Sequence, residues 1–272
     1  VKNDFYAEEH FINFSSLISP THMKSFVSLL FAVLFLFLTP ALTAQSDNAA
    51  KRVVEALAKR DNRHALELAR TVENPDYSDK SGATLLMCCA ETGASDICKI
   101  LLDKGADCNK SSANGTTALY LASQNGHTDV VSLLLERGAL TDLKPGNGAT
   151  PLIAASQFGY TDIVRLLTDR GAAVNLQDEH GSTALIMASQ NGNTDIVKVL
   201  FAAGADPDIP DNNGSTALIL ASQEGNDEVV RVLLNHGADT DKQTVNGNTA
   251  LILASLRGHG DIAELLLQKG AR

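Results

Sequence analysis

Residues 181–213 read GSTALIMASQNGNTDIVKVLFAAGADPDIPDNN, and this stretch decides the fold. Ser182-Thr183 stands ahead of an apolar run, where a threonine hydroxyl can accept a free backbone N–H and start a helix. Over Ala184–Gln190 the spacing predicts a short helix with Leu185 and Ala188 facing inward. Asn191-Gly192-Asn193 then turns the chain, with Gly192 free to take a positive φ. Thr194-Asp195 is expected to supply a second cap and an early acid that suits the helix dipole. Ile196, Val197, Val199 and Leu200 make the inner face of that second helix, and Gly204 ends it. Ala205 to Asn213 is a polar stretch containing Pro207 and Pro210, read as an extended turn. Two short antiparallel helices and a turn cannot bury their apolar faces alone, so the unit must lean on neighbours.

The neighbours are in the sequence. Gly82, Gly115, Gly148, Gly181, Gly214 and Gly247 open copies of one 33-residue pattern, over 82–114, 115–147, 148–180, 181–213, 214–246 and 247–272. A second glycine series (Gly93 to Gly258) and a third (Gly105 to Gly270) keep the same beat without insertion or deletion. Residues 45–81 read as a degenerate first copy, with two helices between Val53 and Arg70 around Lys59-Arg60-Asp61-Asn62. Lys51, Arg52, Glu55, Lys59 and Arg63 give it the polar outer face that the first unit of a stack needs. After the last helix the sequence reaches Gly270-Ala271-Arg272, and Leu256 stands where Gln124, Gln157, Gln190 and Gln223 do. The last helix pair is therefore expected to be less covered, and a charge near Leu266 to cost less than one at Ile186 or Leu200.

GATPLIAASQFG (148–159), DVVSLLLERGA (129–139) and DIVKVLFAAGADPD (195–208) carry a specific likeness. The chain resembles an ankyrin-repeat protein, whose pattern opens G-x-T-P-L-H-x-A-A, runs through V-V-x-L-L-L and closes G-A-D-V-N. The resemblance implies an all-α solenoid of stacked helix-turn-helix units joined by extended β-turn fingers. It also implies a concave binding surface lined by the first helices and the finger tips. The chain departs from the pattern in two places. Only Pro151 keeps the proline, and Met87, Tyr120, Ile153, Ile186, Ile219 and Ile252 replace the histidine. The copies instead share Ala-Ser-Gln, as at Ala122-Ser123-Gln124, where small side chains let helices approach closely.

Composition narrows the partners. The formal net charge is -10, with 32 Asp and Glu against 22 Lys and Arg. No basic cluster interrupts the acidic surface, which argues against nucleic acid. There is no Trp, so the core is aliphatic. Met23-Lys24, the apolar run Phe26 to Leu38, Thr39-Pro40 and the small residue Ala44 read as a secretory signal over 23–44, cut after Ala44. The alternative keeps the segment as a membrane anchor, if the helix continues through Pro40. Residues 1–22 fit neither reading and are taken as a leader upstream of a start at Met23. Cleavage would place the protein in the periplasm or outside the cell.

Candidate chemistry is sparse. Cys88, Cys89, Cys98 and Cys108 all fall in one copy. They read as small buried hydrophobes or as a helix-to-helix disulfide from Cys98 to Cys88 or Cys89; their spacing is not one that holds zinc. Asp206, Asp208 and Asp211 lack the glycine and distal glutamate of a calcium loop. His127 and His259 share a repeat position four copies apart and cannot share a metal or proton. Asn114-Gly115-Thr116 and Asn213-Gly214-Ser215 match the glycosylation pattern, but both Asn-Gly steps belong to the beat. No nucleophile motif or phosphate loop occurs, so no enzyme activity and no cofactor is expected.

Function is therefore sought at positions the repeat does not dictate. Ten residues into the copies stand Asn125, Phe158, Asn191 and Glu224; two further on stand His127, Tyr160 and Asn193. Phe158 with Tyr160 is the candidate anchor, since aromatics bring large contact area at small entropy cost. Lys144 and Asp178 on adjacent turns add a charge contrast that could steer a polar partner. The resulting expectation is a monomeric, non-enzymatic scaffold that binds a protein partner outside the cytoplasm and shields or inhibits a co-exported protein. Its alternatives are a membrane-tethered adaptor and, lacking any convergent titratable cluster, a ligand-binding protein or enzyme on the concave face.

Overall fold

The computed structural model describes residues 48–272. The expected leader, signal and cleavage point lie outside them. Residues 48–58 (α1) and Asn62–Thr71 (α2) form the first helix pair. The first helices of the six full copies are α3 Leu85–Thr92, α5 Ala118–Gln124, α7 Pro151–Phe158, α9 Ala184–Gln190, α11 Ala217–Glu224 and α13 Ala250–Arg257. Their second helices are α4 Ser95–Asp103, α6 Thr128–Glu136, α8 Thr161–Asp169, α10 Thr194–Ala202, α12 Asp227–Asn235 and α14 Gly260–Gln268. Within the unit 49–272 each first helix packs on its own second helix and on the first helix of the next copy, while second helices stack on second helices. These are two layers of helices sharing one aliphatic core.

Each first helix starts on a buried threonine. Thr84, Thr117, Thr150, Thr183, Thr216 and Thr249 are extended, and each hydroxyl accepts the N–H three residues on. The distance is 3.2 Å at Met87, Tyr120, Ile153, Ile186 and Ile252. Losing such a cap costs about 1 kcal/mol. The second helices start differently. Thr194 lies inside the first turn and caps nothing; the N-cap is Asn193, whose side chain makes no cap bond. At the far end Gly204, at φ 88°, donates to Phe201 and Ala205 donates to Leu200, so the last carbonyls of α10 are satisfied.

The core follows the helical spacing. Leu185, Ile186, Ala188, Ile196, Val197 and Leu200 are all buried, whereas Val199 is half-buried against the neighbouring copy. Burial of each leucine or isoleucine contributes about 1.5–3 kcal/mol. Ser123, Ser156, Ser189 and Ser222 recur at the closest approach of neighbouring first helices, wholly buried with no hydrogen-bond partner for the hydroxyl. Small size is what that position selects.

The connectors correct the expectation of extended β-turn fingers. Among the described residues no strand forms; the pairing reduces to two isolated antiparallel bridges, Ser78 with Thr84 and Ser111 with Thr117. The reason is local. Side-chain oxygens close the connectors as tight turns: Asp79 Oδ1 accepts the Ser81 and Ala83 amides, Asp211 Oδ1 accepts those of Asn213 and Ser215, and the Thr244 hydroxyl accepts that of Asn248. Those bonds, and the Ser81 hydroxyl first of all, hold the Asp79 carboxyl below its ordinary value. One backbone bond then joins each connector to the next: Ala113 to Ser81, Gly146 to Asn114, Glu179 to Asn147, Asn212 to His180 and Val245 to Asn213. A single bond per step is too few for a ladder.

A second series ties the copies together behind these turns. Asp76, Asn109, Asp142, Asn175, Asp208 and Asp241 each accept, through the side chain, the backbone N–H 31 residues on. At the two ends the beat loosens. Arg60 takes φ 58° at the position where the next copy has Gly93. In the last copy Ile252 is 40% exposed while Ile186 is 1% exposed. Leu266, named above as a tolerant position, is fully buried; the exposed large apolar side chains toward this end are Val245, Ile252, Leu256 and Leu267.

Candidate protein-binding face

The residues ten into each copy end the first helices and point to solvent. Asn125 Nδ2 donates to the Leu121 carbonyl at 2.8 Å, and Asn191 Nδ2 to Met187 at 2.9 Å and to Gln157 of the preceding copy at 3.2 Å. Both side chains thus finish their own helices. Glu224 accepts from Gln223 Nε2 at 2.9 Å. Phe158 has nothing comparable: it stands 50% exposed at the end of α7 in a row otherwise made of Thr, Asn, Glu and Arg. Its ring lies 6.4 Å from that of Tyr160, tilted by 32°. The structure therefore brings these two aromatics together.

The residues two further on serve the stack itself. The ring N–H of His127 at Nε2 donates to the Glu91 carbonyl at 2.9 Å, and that of His259 to Gln223 at 3.1 Å. Asn193 Nδ2 reaches the Ser156 carbonyl, and Asn226 Nδ2 reaches Ser189 and Gln190. Each side chain covers the glycine of the copy before. A Cβ at Gly93 would meet His127 at 2.5 Å, one at Gly126 would meet Tyr160 at 2.6 Å, and one at Gly192 would meet Asn226 at 2.8 Å. Close approach as well as a left-handed φ thus requires the glycine at Gly93, Gly126, Gly192 and Gly225, while Gly258, with no copy beyond it among the described residues, has only the φ. The positions named for His127, Tyr160 and Asn193 are joints between copies, with Tyr160 half-buried beneath the exposed Phe158.

Lys144 and Asp178 are likewise engaged within the stack. Lys144 Nζ donates to the Gln177 carbonyl of the next connector at 2.9 Å. Asp178 Oδ1 accepts the amides of His180 and Ser182 at 2.9 and 2.8 Å. The carboxylates of Asp206, Asp208 and Asp211 are spent on backbone amides in the same manner. Among the described residues no group of three or more His, Cys, Asp or Glu converges to hold a metal. The four cysteines carry free thiols, with Cys89 and Cys98 wholly buried and Cys88 half-buried. Burial, then the charges of Glu91 and Asp79, push the Cys88 thiol up.

Sequence reasoning missed one row. Six residues into each copy stand Cys88, Leu121, Ala154, Met187, Leu220 and Leu253, all apolar, and all but Ala154 are half-buried where the first helices meet the connectors. In the first two copies Met87, Cys88, Leu121, Ala83 and Ala113 line an open groove of about 400 Å³. Reading the copies in register shows that these positions are apolar. It cannot show that they are half-exposed, because an apolar residue on a core helix reads as core.

A two-layer stack with a half-buried apolar row along its first helices presents a repeated surface suited to contact with another chain. A family model described as ankyrin repeats (3 copies) matches residues 41–145, 139–211 and 185–272, and the chain belongs to the ankyrin-repeat family. The fold of that family supports protein–protein contact. Comparison with curated proteins gave no match.

Proposed function

We propose that the protein is an exported scaffold that binds one protein partner on the face formed by its first helices and connector turns, shielding or inhibiting a co-exported protein. The observation that carries the binding face is Phe158, a half-exposed aromatic ring in an otherwise polar row, beside the apolar row through Leu121 and Met187. An aromatic anchor next to half-buried aliphatic surface has the composition of an interface hot spot. Export rests on the sequence from Met23 to Ala44, and the mass of the mature N-terminus tests it. A start at Gln45 supports export with cleavage; an intact apolar run gives the membrane-tethered adaptor instead.

The binding face is tested by affinity capture from the native extract with wild type and Phe158→Ser. The variant is expected to lose at least tenfold in captured partner while melting within a few degrees of wild type, because Phe158 is half exposed and lies outside the buried core. Undiminished capture would remove Phe158 from the interface. Tyr160→Ala is unsuitable for this purpose, since it also opens the joint over Gly126.

A further inference from the structure

We infer that Cys89 and Cys98 are a covalent modification site: their sulfurs close a disulfide that ties α3 to α4 within the first full copy. Both residues have no exposed surface, and they sit on the two packed helices of one pair, Cys89 on α3 and Cys98 on α4, close enough for the Cys98 thiol to push the Cys89 thiol up. The same two positions hold Ala122 with Val131, Ala155 with Val164, Ala188 with Val197 and Ala221 with Val230 in the next four copies, all with no exposed surface. Only in the first full copy do both positions change, and they change together. An alanine and a valine bring about as many side-chain heavy atoms as two cysteines, so packing is preserved by the exchange. Packing did not require it, however, because the Ala–Val pair already fills this space in every other internal copy. What the exchange adds is two buried sulfurs on the facing helices of one pair. The neighbouring thiols are placed elsewhere. Cys88 lines the groove with Met87, and Cys108 Sγ lies 3.5 Å from the Arg137 carbonyl.

The chemistry is thiol–disulfide exchange with a small disulfide such as oxidised glutathione. One protein thiol loses its proton and attacks, releasing the first glutathione thiolate; the second protein thiol then displaces the other glutathione. Two protein thiols are oxidised to one S–S bond, one glutathione disulfide is reduced, and the two protons pass to the departing thiolates. The Cys98 thiol and then burial hold the Cys89 thiol well above its ordinary value, so exchange is slow in the closed helix pair and proceeds when the pair opens or first folds. The bond locks the helix pair that forms one wall of the groove through Met87 and Cys88. This inference does not depend on the identity of the bound protein.

The test refolds the full chain in a glutathione redox buffer, blocks remaining thiols with an alkylating agent and maps the peptides. The expected result is loss of two of the four free thiols, a chain lighter by two hydrogens, and one crosslinked peptide joining positions 89 and 98. The melting temperature should fall by several degrees when reductant is added. The double variant Cys89→Ala with Cys98→Val installs the pair of the following copies; it should fold, and melt at one temperature with and without reductant. Four alkylated thiols, a crosslink through Cys88 or Cys108, or a redox-dependent melt retained by the double variant would each overturn the assignment.

Discussion

Arg60 and Gly126 occupy the same repeat position in different copies, and both have left-handed backbone, φ 58° and 77°. A side chain in that conformation costs about 1–2 kcal/mol. Arg60→Gly is therefore expected to stabilise the chain by about 1 kcal/mol, after the entropy that glycine restores to the unfolded state, read as a higher urea midpoint. Gly126→Ala should do the reverse and more. It adds the same strain and sets a methyl group 2.6 Å from the Tyr160 ring, for a loss of about 2–3 kcal/mol in the same melts. A gain at Gly126 would mean that the ring can move aside without loss. The glycine beat was plain in the sequence. What each glycine touches was not, because the contact comes from a side chain 34 residues away.

At the scale of the helix, one residue type in one repeat position meets different surroundings according to its place in the stack. Ile186 of α9 is enclosed by the first helices on both sides, α7 and α11, whereas Ile252 of α13 meets a first helix on one side only among the described residues and is 40% exposed. Ile186→Asp is expected to cost about 3–5 kcal/mol, the loss typical of an uncompensated buried charge. Ile252→Asp should cost less than half of that, since water reaches the carboxylate. Chemical denaturation of the two variants compares them directly, and equal losses would contradict helices stabilised mainly by their neighbours. The helices were legible because threonine caps and 3.6-residue spacing are local. The connector turns were misjudged as extended because side-chain carboxylates close them, and proline and polarity do not distinguish an extended segment from a closed turn.

Over the whole molecule, stability is a sum of copies and joints, and each joint between the six full copies combines a ring or amide over a glycine, an Asx bond to an amide and one backbone bond between connectors. Weakening the joints on both sides of one copy should therefore uncouple the stack. Tyr160→Ala with Asn193→Ala opens the contacts on both sides of the third full copy, and denaturation is expected to broaden or split into two steps, followed by helix content and by hydrogen exchange at α5 and α11. A single sharp transition would show that packing of the first helices alone carries the coupling. The sequence by itself determined the number of copies, their helix pairs and the aliphatic core, because each of these depends on residues within one 33-residue unit. Only the tertiary structure decided which non-consensus side chains stay exposed and which face the next copy. His127, Tyr160 and Asn193 read as free surface in a single unit, and become joints once a second unit lies against them. Phe158 remains exposed because its place at the end of α7 lies outside that contact, and Cys89 and Cys98 share one buried helix pair because α3 packs on α4.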